Sequence, residues 1–105
     1  MSKFFNVVGS DNITVELIAP DEEVGSIKSI LLTNIHASND ATVKLFIQDD
    51  PLSGTTSTYN ILTNLDIPFE LSLLLDNPSM LRFPVDFGLY ITVGASDTVD
   101  VIINT

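Results

Sequence analysis

Apolar side chains recur at every second position along this chain in a series of short runs. Ile13, Val15 and Leu17 form one set; Val43, Leu45 and Ile47 a second; Leu71, Leu73 and Leu75 a third. Leu89, Ile91 and Val93 follow, then Val99, Val101 and Ile103. A period of two marks a strand with one face on a core, because successive side chains of an extended chain point to opposite sides. No window carries the 3.6-residue repeat of an amphipathic helix. The pattern predicts an all-β chain.

Turn residues punctuate these runs. Gly9-Ser10-Asp11-Asn12 separates a first strand over 4–8 from the second, which Pro20-Asp21-Glu22-Glu23-Val24-Gly25 ends. Ser38-Asn39-Asp40 is expected to join strands over 27–35 and 41–48 as a hairpin, and Gly94-Ala95-Ser96-Asp97 to close a final one. The polar stretch Asp49-Asp50-Pro51-Leu52-Ser53-Gly54-Thr55-Thr56 reads as a surface loop. Strands over 58–65 and 70–75 come next, divided at Ile67-Pro68. Asp76-Asn77-Pro78 and Phe83-Pro84 interrupt pairing, since proline lacks the donor that a central strand needs. About eight short strands at this spacing predict one antiparallel β-sandwich over residues 1–105, jelly-roll or Greek-key in its connections.

Composition agrees. Val, Ile and Thr number 30 against 4 Ala, a bias toward side chains that suit a pleated surface. With no cysteine, disulfides, thiolate catalysis and cysteine-bound zinc are excluded, so stability rests on packing and backbone pairing. The formal charge of −10 sets Lys3, Lys28, Lys44 and Arg82 against ten Asp and four Glu. Nucleic-acid binding needs clustered cations to neutralise phosphates, and anionic membranes need the same, so neither is an expected partner. The N-terminus shows no long apolar signal segment, and no run reaches the ~18–20 apolar residues that span a bilayer. The expectation is a soluble protein made in a cytoplasm.

One feature departs from simple alternation. Ile18, Ile30, Leu32, Phe46, Leu74 and Ile102 fall where strict alternation calls for polar side chains. Burial of such a side chain is worth ~1.5–3 kcal/mol, so several left exposed together would form an association surface. Three arrangements accommodate them: cover by loops or by the segment carrying Phe4 and Phe5, a bulge that shifts register, or contacts between subunits. Assembly, most simply a symmetric homo-oligomer with these six residues at the interface, is the leading expectation.

Catalytic chemistry finds little to work with. His36 is the single histidine, beside Ser38 and Asp40; a triad can be drawn, but such residues are ordinary in turns. One histidine also cannot build a His-rich metal site. Asp21-Glu22-Glu23, Asp49-Asp50 and Asp97 with Asp100 offer oxygens for calcium, yet none has the spacing of an EF-hand loop. Glu16 and Glu70, the glutamates outside that acidic loop, are not paired by anything in the sequence as glycosidase acids would be. Asn12-Ile13-Thr14 matches the glycosylation pattern and is incidental without a secretory signal. No catalytic residue, metal or cofactor is expected. The alternative is a lectin-like or calcium-assisted binding module using the loop from Asp49 to Tyr59.

Six stretches carry a family resemblance. Gly25-Ser26-Ile27-Lys28-Ser29-Ile30-Leu31-Leu32-Thr33-Asn34, followed by Asn39-Asp40-Ala41-Thr42-Val43-Lys44-Leu45-Phe46-Ile47, resembles the opening hairpin of small β-sandwich virion proteins of tailed bacteriophages, marine and cyanophage-like. Ile67-Pro68, Leu73-Leu74-Leu75, Gly88-Leu89-Tyr90-Ile91-Thr92-Val93 and Asp97-Thr98-Val99-Asp100-Val101-Ile102-Ile103 are similar to the rest of that pattern, which spans residues 25–104. The resemblance implies a non-enzymatic structural or decorating component of a virion, working through contacts with its own copies or with other virion proteins. It assigns no functional residue.

Overall fold

The structure, a computed structural model, describes residues 2–8, 14–19, 27–35, 39–49, 57–77, 81, 87–94 and 97–104. They contain eight strands: β1 (Ser2–Val8), β2 (Thr14–Ile18), β3 (Ser29–Asn34), β4 (Ala41–Asp49), β5 (Thr58–Ile67), β6 (Ser72–Leu75), β7 (Phe87–Val93) and β8 (Thr98–Asn104). Two four-stranded sheets result, one ordered β1-β8-β3-β6 and the other β2-β7-β4-β5. Every pairing is antiparallel. Only β4 and β5 are sequence neighbours that also pair; each other connection carries the chain from one sheet to the other. That is a jelly-roll β-sandwich.

The hairpins expected at 38–40 and 94–97 are therefore corrected. β3 and β4 lie in different sheets, as do β7 and β8. Turn residues reverse the chain. They do not determine whether the returning strand bonds to its predecessor or packs over it on the facing sheet.

Both sheets contribute to one buried cluster, in which Val99, Val101 and Ile103 of β8 face Val43, Leu45, Leu89, Ile91 and Val93. Strand β3 settles into this core with a phase opposite to the sequence expectation. Ile30 and Leu32 are fully buried because they stand in register with Ile103 and Val101, and Leu31 takes the outward position. Ile18 also turns inward. A register shift between Glu16 and Ile18 inserts one residue against β7, so Leu17 and Ile18 are both buried. Phe46 does stand on the outer face of its sheet, yet it is only 8% exposed. Tyr90 stacks on it at 5.6 Å and the Lys44 ammonium lies 5.4 Å from its ring centre. Leu71, assigned to the core by alternation, precedes β6 and is exposed.

Strand β5 runs along the sheet edge and gains residues relative to β4 twice, around Val43–Leu45 and Leu45–Phe46. Asn64 absorbs the first shift with a left-handed φ of 48°, a conformation asparagine tolerates better than most residues. Such bulges twist an edge strand and spoil it as a template for further pairing.

The β7–β8 corner is tied to β4 through a carboxylate. Asp97 N–H donates to the Gly94 carbonyl at 3.0 Å, Gly94 N–H to the Thr42 carbonyl at 2.9 Å, and Thr42 N–H to Asp97 Oδ2 at 3.1 Å. A Cβ on Gly94 would stand 2.5 Å from that same oxygen. Gly94→Ala should therefore break the Asp97–Thr42 bond and cost ~1–2 kcal/mol, read as a lower urea midpoint. Made in an Asp97→Ala background, the same change should cost little more. Additive losses would place the strain elsewhere.

Candidate functional site

The outer face of the β1-β8-β3-β6 sheet carries the chain's most distinctive surface. Phe4 pairs with Ile102, Ile102 with Leu31, and Leu31 with Leu74, so one apolar side chain from each strand lines up across the whole sheet. The row is exposed at both ends, with Phe4 at 71% and Leu74 at 54%, while Ile102 and Leu31 between them are half-buried. Val8 and Ile35, both exposed, flank Thr98 two rows away on the same face. Period-two geometry makes this unavoidable: once Ile30, Leu32, Val101 and Ile103 point inward, the intervening residues must point out.

Polar ladders border the row. On one side Asn6 Nδ2 donates to Asp100 Oδ1 at 2.7 Å, and Thr33 and Ser72 share a hydroxyl bond of 2.9 Å. On the other, Asn104 Nδ2 donates to Ser29 Oγ at 3.0 Å. These short side chains are bonded to one another along the sheet. Asp100 is the one ionisable side chain in the paired rows of this face. Over the paired strands β1 and β8 lies a shallow, open groove of about 290 Å³ lined by Phe4, Phe5, Asn6, Asp100, Val101 and Ile102.

The other sheet presents a different exterior. Its rows run Glu16–Tyr90–Phe46–Asn60 and Thr14–Thr92–Lys44, mixing charge, hydroxyl and a ring pair that covers itself. Charge depletion around apolar side chains is what distinguishes the core of an interface. Among the described residues, only the first face has it.

No protein-family model matches the chain. No curated protein matches it either. Among solved structures, a chain of infectious bursal disease virus, Gx strain, is similar to it at 11% sequence identity and a TM-score of 0.41. That similarity covers 98% of this chain and 33% of the other, so the present chain spans about a third of the viral one's length.

Of the six residues expected at an interface, Leu74 and Ile102 stand outward on the apolar row, whereas Ile18, Ile30 and Leu32 are core and Phe46 is covered. Sequence reasoning missed Phe4 and Leu31; the signal was Phe4 at outward parity in β1, which only the β1–β8 register makes meaningful. His36, Ser38, Asn12 and the acidic run 21–23 lie outside the described residues, as does 50–56 of the loop from Asp49 to Tyr59. The neck of that loop is closed by Asp49, whose Oδ1 accepts the Ser57 N–H at 2.7 Å while its own N–H donates to the Ser57 carbonyl at 3.1 Å. Tyr59 sits 5.9 Å from Phe87 at a tilt of 49°. Asp97 and Asp100 do not converge: one accepts from Thr42, the other from Asn6. Glu16 stands on β2 and Glu70 in the turn before β6, with a left-handed φ of 61°. Among the described residues no three His, Asp or Glu side chains approach closely enough to hold a metal ion. No helix among them is long and apolar enough to cross a membrane.

Proposed function

We propose that this chain is a non-enzymatic structural protein of a virion, working by protein–protein contact through the outer face of its β1-β8-β3-β6 sheet. The observation that carries the reading is the apolar row Phe4–Ile102–Leu31–Leu74, set among paired rows of this face whose one ionisable side chain is Asp100, on a chain of net charge −10. A chain this acidic has carboxylates enough to cover every surface; a face left nearly without them is suited to burial. In its finer form the reading is a structural or decorating component of a tailed-phage particle, supported by the strand-and-turn resemblance over residues 25–104. Homo-oligomeric contacts are the simplest way for such a component to act, and other virion proteins are the further partners.

Light scattering tests this directly. The wild type at high micromolar concentration should have a mass that is a multiple of 11.4 kDa. The double variant Phe4→Asp, Leu74→Asp should fall to the single-chain mass with its far-ultraviolet circular dichroism unchanged, because both side chains already face solvent. A wild type that stays at 11.4 kDa throughout would overturn the reading.

A further inference from the structure

The reading above names a copy of the chain as the simplest partner of the apolar face without fixing the number of copies or the contact, and the following rests on it. We propose that this partner is a second copy of the chain, packed face to face about a two-fold axis, with each Phe4 ring seated in the other copy's β1–β8 groove.

A two-fold interface requires the same patch to be complementary to itself. This face meets that condition with a projection and a depression side by side. Phe4, 71% exposed, stands beside a groove of about 290 Å³ whose other walls are Asn6, Asp100 and Ile102. An axis passing between ring and groove fills both grooves at once. It also lays the two apolar rows across each other, covering Leu31 and Leu74 of both copies.

Charge argues for a copy rather than a basic partner. A cationic protein is drawn to carboxylates, and this face holds only Asp100 in its paired rows, with Oδ1 already accepting from Asn6. A like-charged copy of −10 needs an approach surface poor in carboxylates, and here Asp100 is the one carboxylate in the paired rows. The strands of this sheet have 7, 7, 6 and 4 residues. At about 4.8 Å between strands and about 3.3 Å per residue they give roughly 380 Å² of projected face per copy. Two such faces project roughly 760 Å², and side-chain relief carries the buried surface toward the ~1,000 Å² at which specific interfaces begin.

The absence of native cysteine makes the test clean. Asn6→Cys places one thiol on the rim of the groove; Asn60→Cys places one on the outer face of the opposite sheet. Under mild oxidation Asn6→Cys should form a disulfide-linked pair at least about tenfold faster than Asn60→Cys, and light scattering of the wild type should show two chains. Phe4→Ala should weaken that association by at least about tenfold while leaving circular dichroism unchanged. A two-chain mass with Asn60→Cys cross-linking as fast or faster would overturn the proposal, as would a mass above two chains; in both results self-assembly itself would stand. A single-chain mass at high micromolar concentration would overturn both the proposal and the reading beneath it.

Discussion

Ile30→Asp should leave no folded protein, whereas Leu31→Asp, one residue along, should fold and lose only its self-association. Ile30 is 0% exposed and lies between Ile103 and Leu75 in the pairing of β3 with β8 and β6. Replacing it forfeits ~1.5–3 kcal/mol of burial and forces a carboxylate into an apolar interior, at a cost of several kcal/mol more. The sum is comparable to the ~5–15 kcal/mol by which a domain of this size is stable. Leu31 stands instead between Ile102 and Leu74 on the outer face, where a new carboxylate reaches water. Its loss should cost ~1 kcal/mol or less in cross-strand packing. Circular dichroism and urea unfolding of the two variants decide the matter. A folded Ile30→Asp beside an unfolded Leu31→Asp would mean that β3 pairs one residue out of register.

That contrast shows why the strands were easier to read than their phase. In β8 the outward parity carries Thr98, Asp100 and Asn104, so Val99, Val101 and Ile103 identify the core face unaided. In β3 the markers mislead. Ile30, Leu31 and Leu32 are all apolar, and Asn34 at inward parity offsets Ser29 and Thr33 at outward parity, so local polarity does not settle inside from outside. Only pairing with β8 does so, and that pairing joins residues some seventy positions apart. Ile18 was unreadable for another reason, since a bulge reverses the parity of everything beyond it. Phe46 stands outward as alternation places it, but alternation says nothing about a neighbouring ring or lysine that covers it. The candidate face was half legible: Leu74 and Ile102 stood out within their own strands, while Phe4 and Leu31 join them only through the order β1-β8-β3-β6.

Asn34 supplies the second large effect. It is 0% exposed, and its Nδ2 donates to the carbonyls of Asn39 and Ile67, each at 2.9 Å. Its own N–H donates to the Leu71 carbonyl at 3.0 Å. One side chain thus ties the end of β3, in the first sheet, to the end of β5, in the second, at the level where the chain passes between sheets. Asn34→Leu removes both side-chain donors and strands two carbonyls, one of them on the buried Ile67, for an expected loss of ~3–4 kcal/mol. Asn34→Asp keeps the shape but turns carboxylate oxygens toward carbonyl oxygens. That repulsion raises the introduced group's folded-state pKa above its unfolded value, so its deficit should be greatest at neutral pH and shrink as pH falls and a donating O–H returns. The Asn34→Leu deficit has no such titration. Urea midpoints of both variants, measured against wild type from neutral to acidic pH, should therefore converge for Asp and stay parallel for Leu. Two parallel curves would show that the amide fills space at this corner without fastening the sheets together.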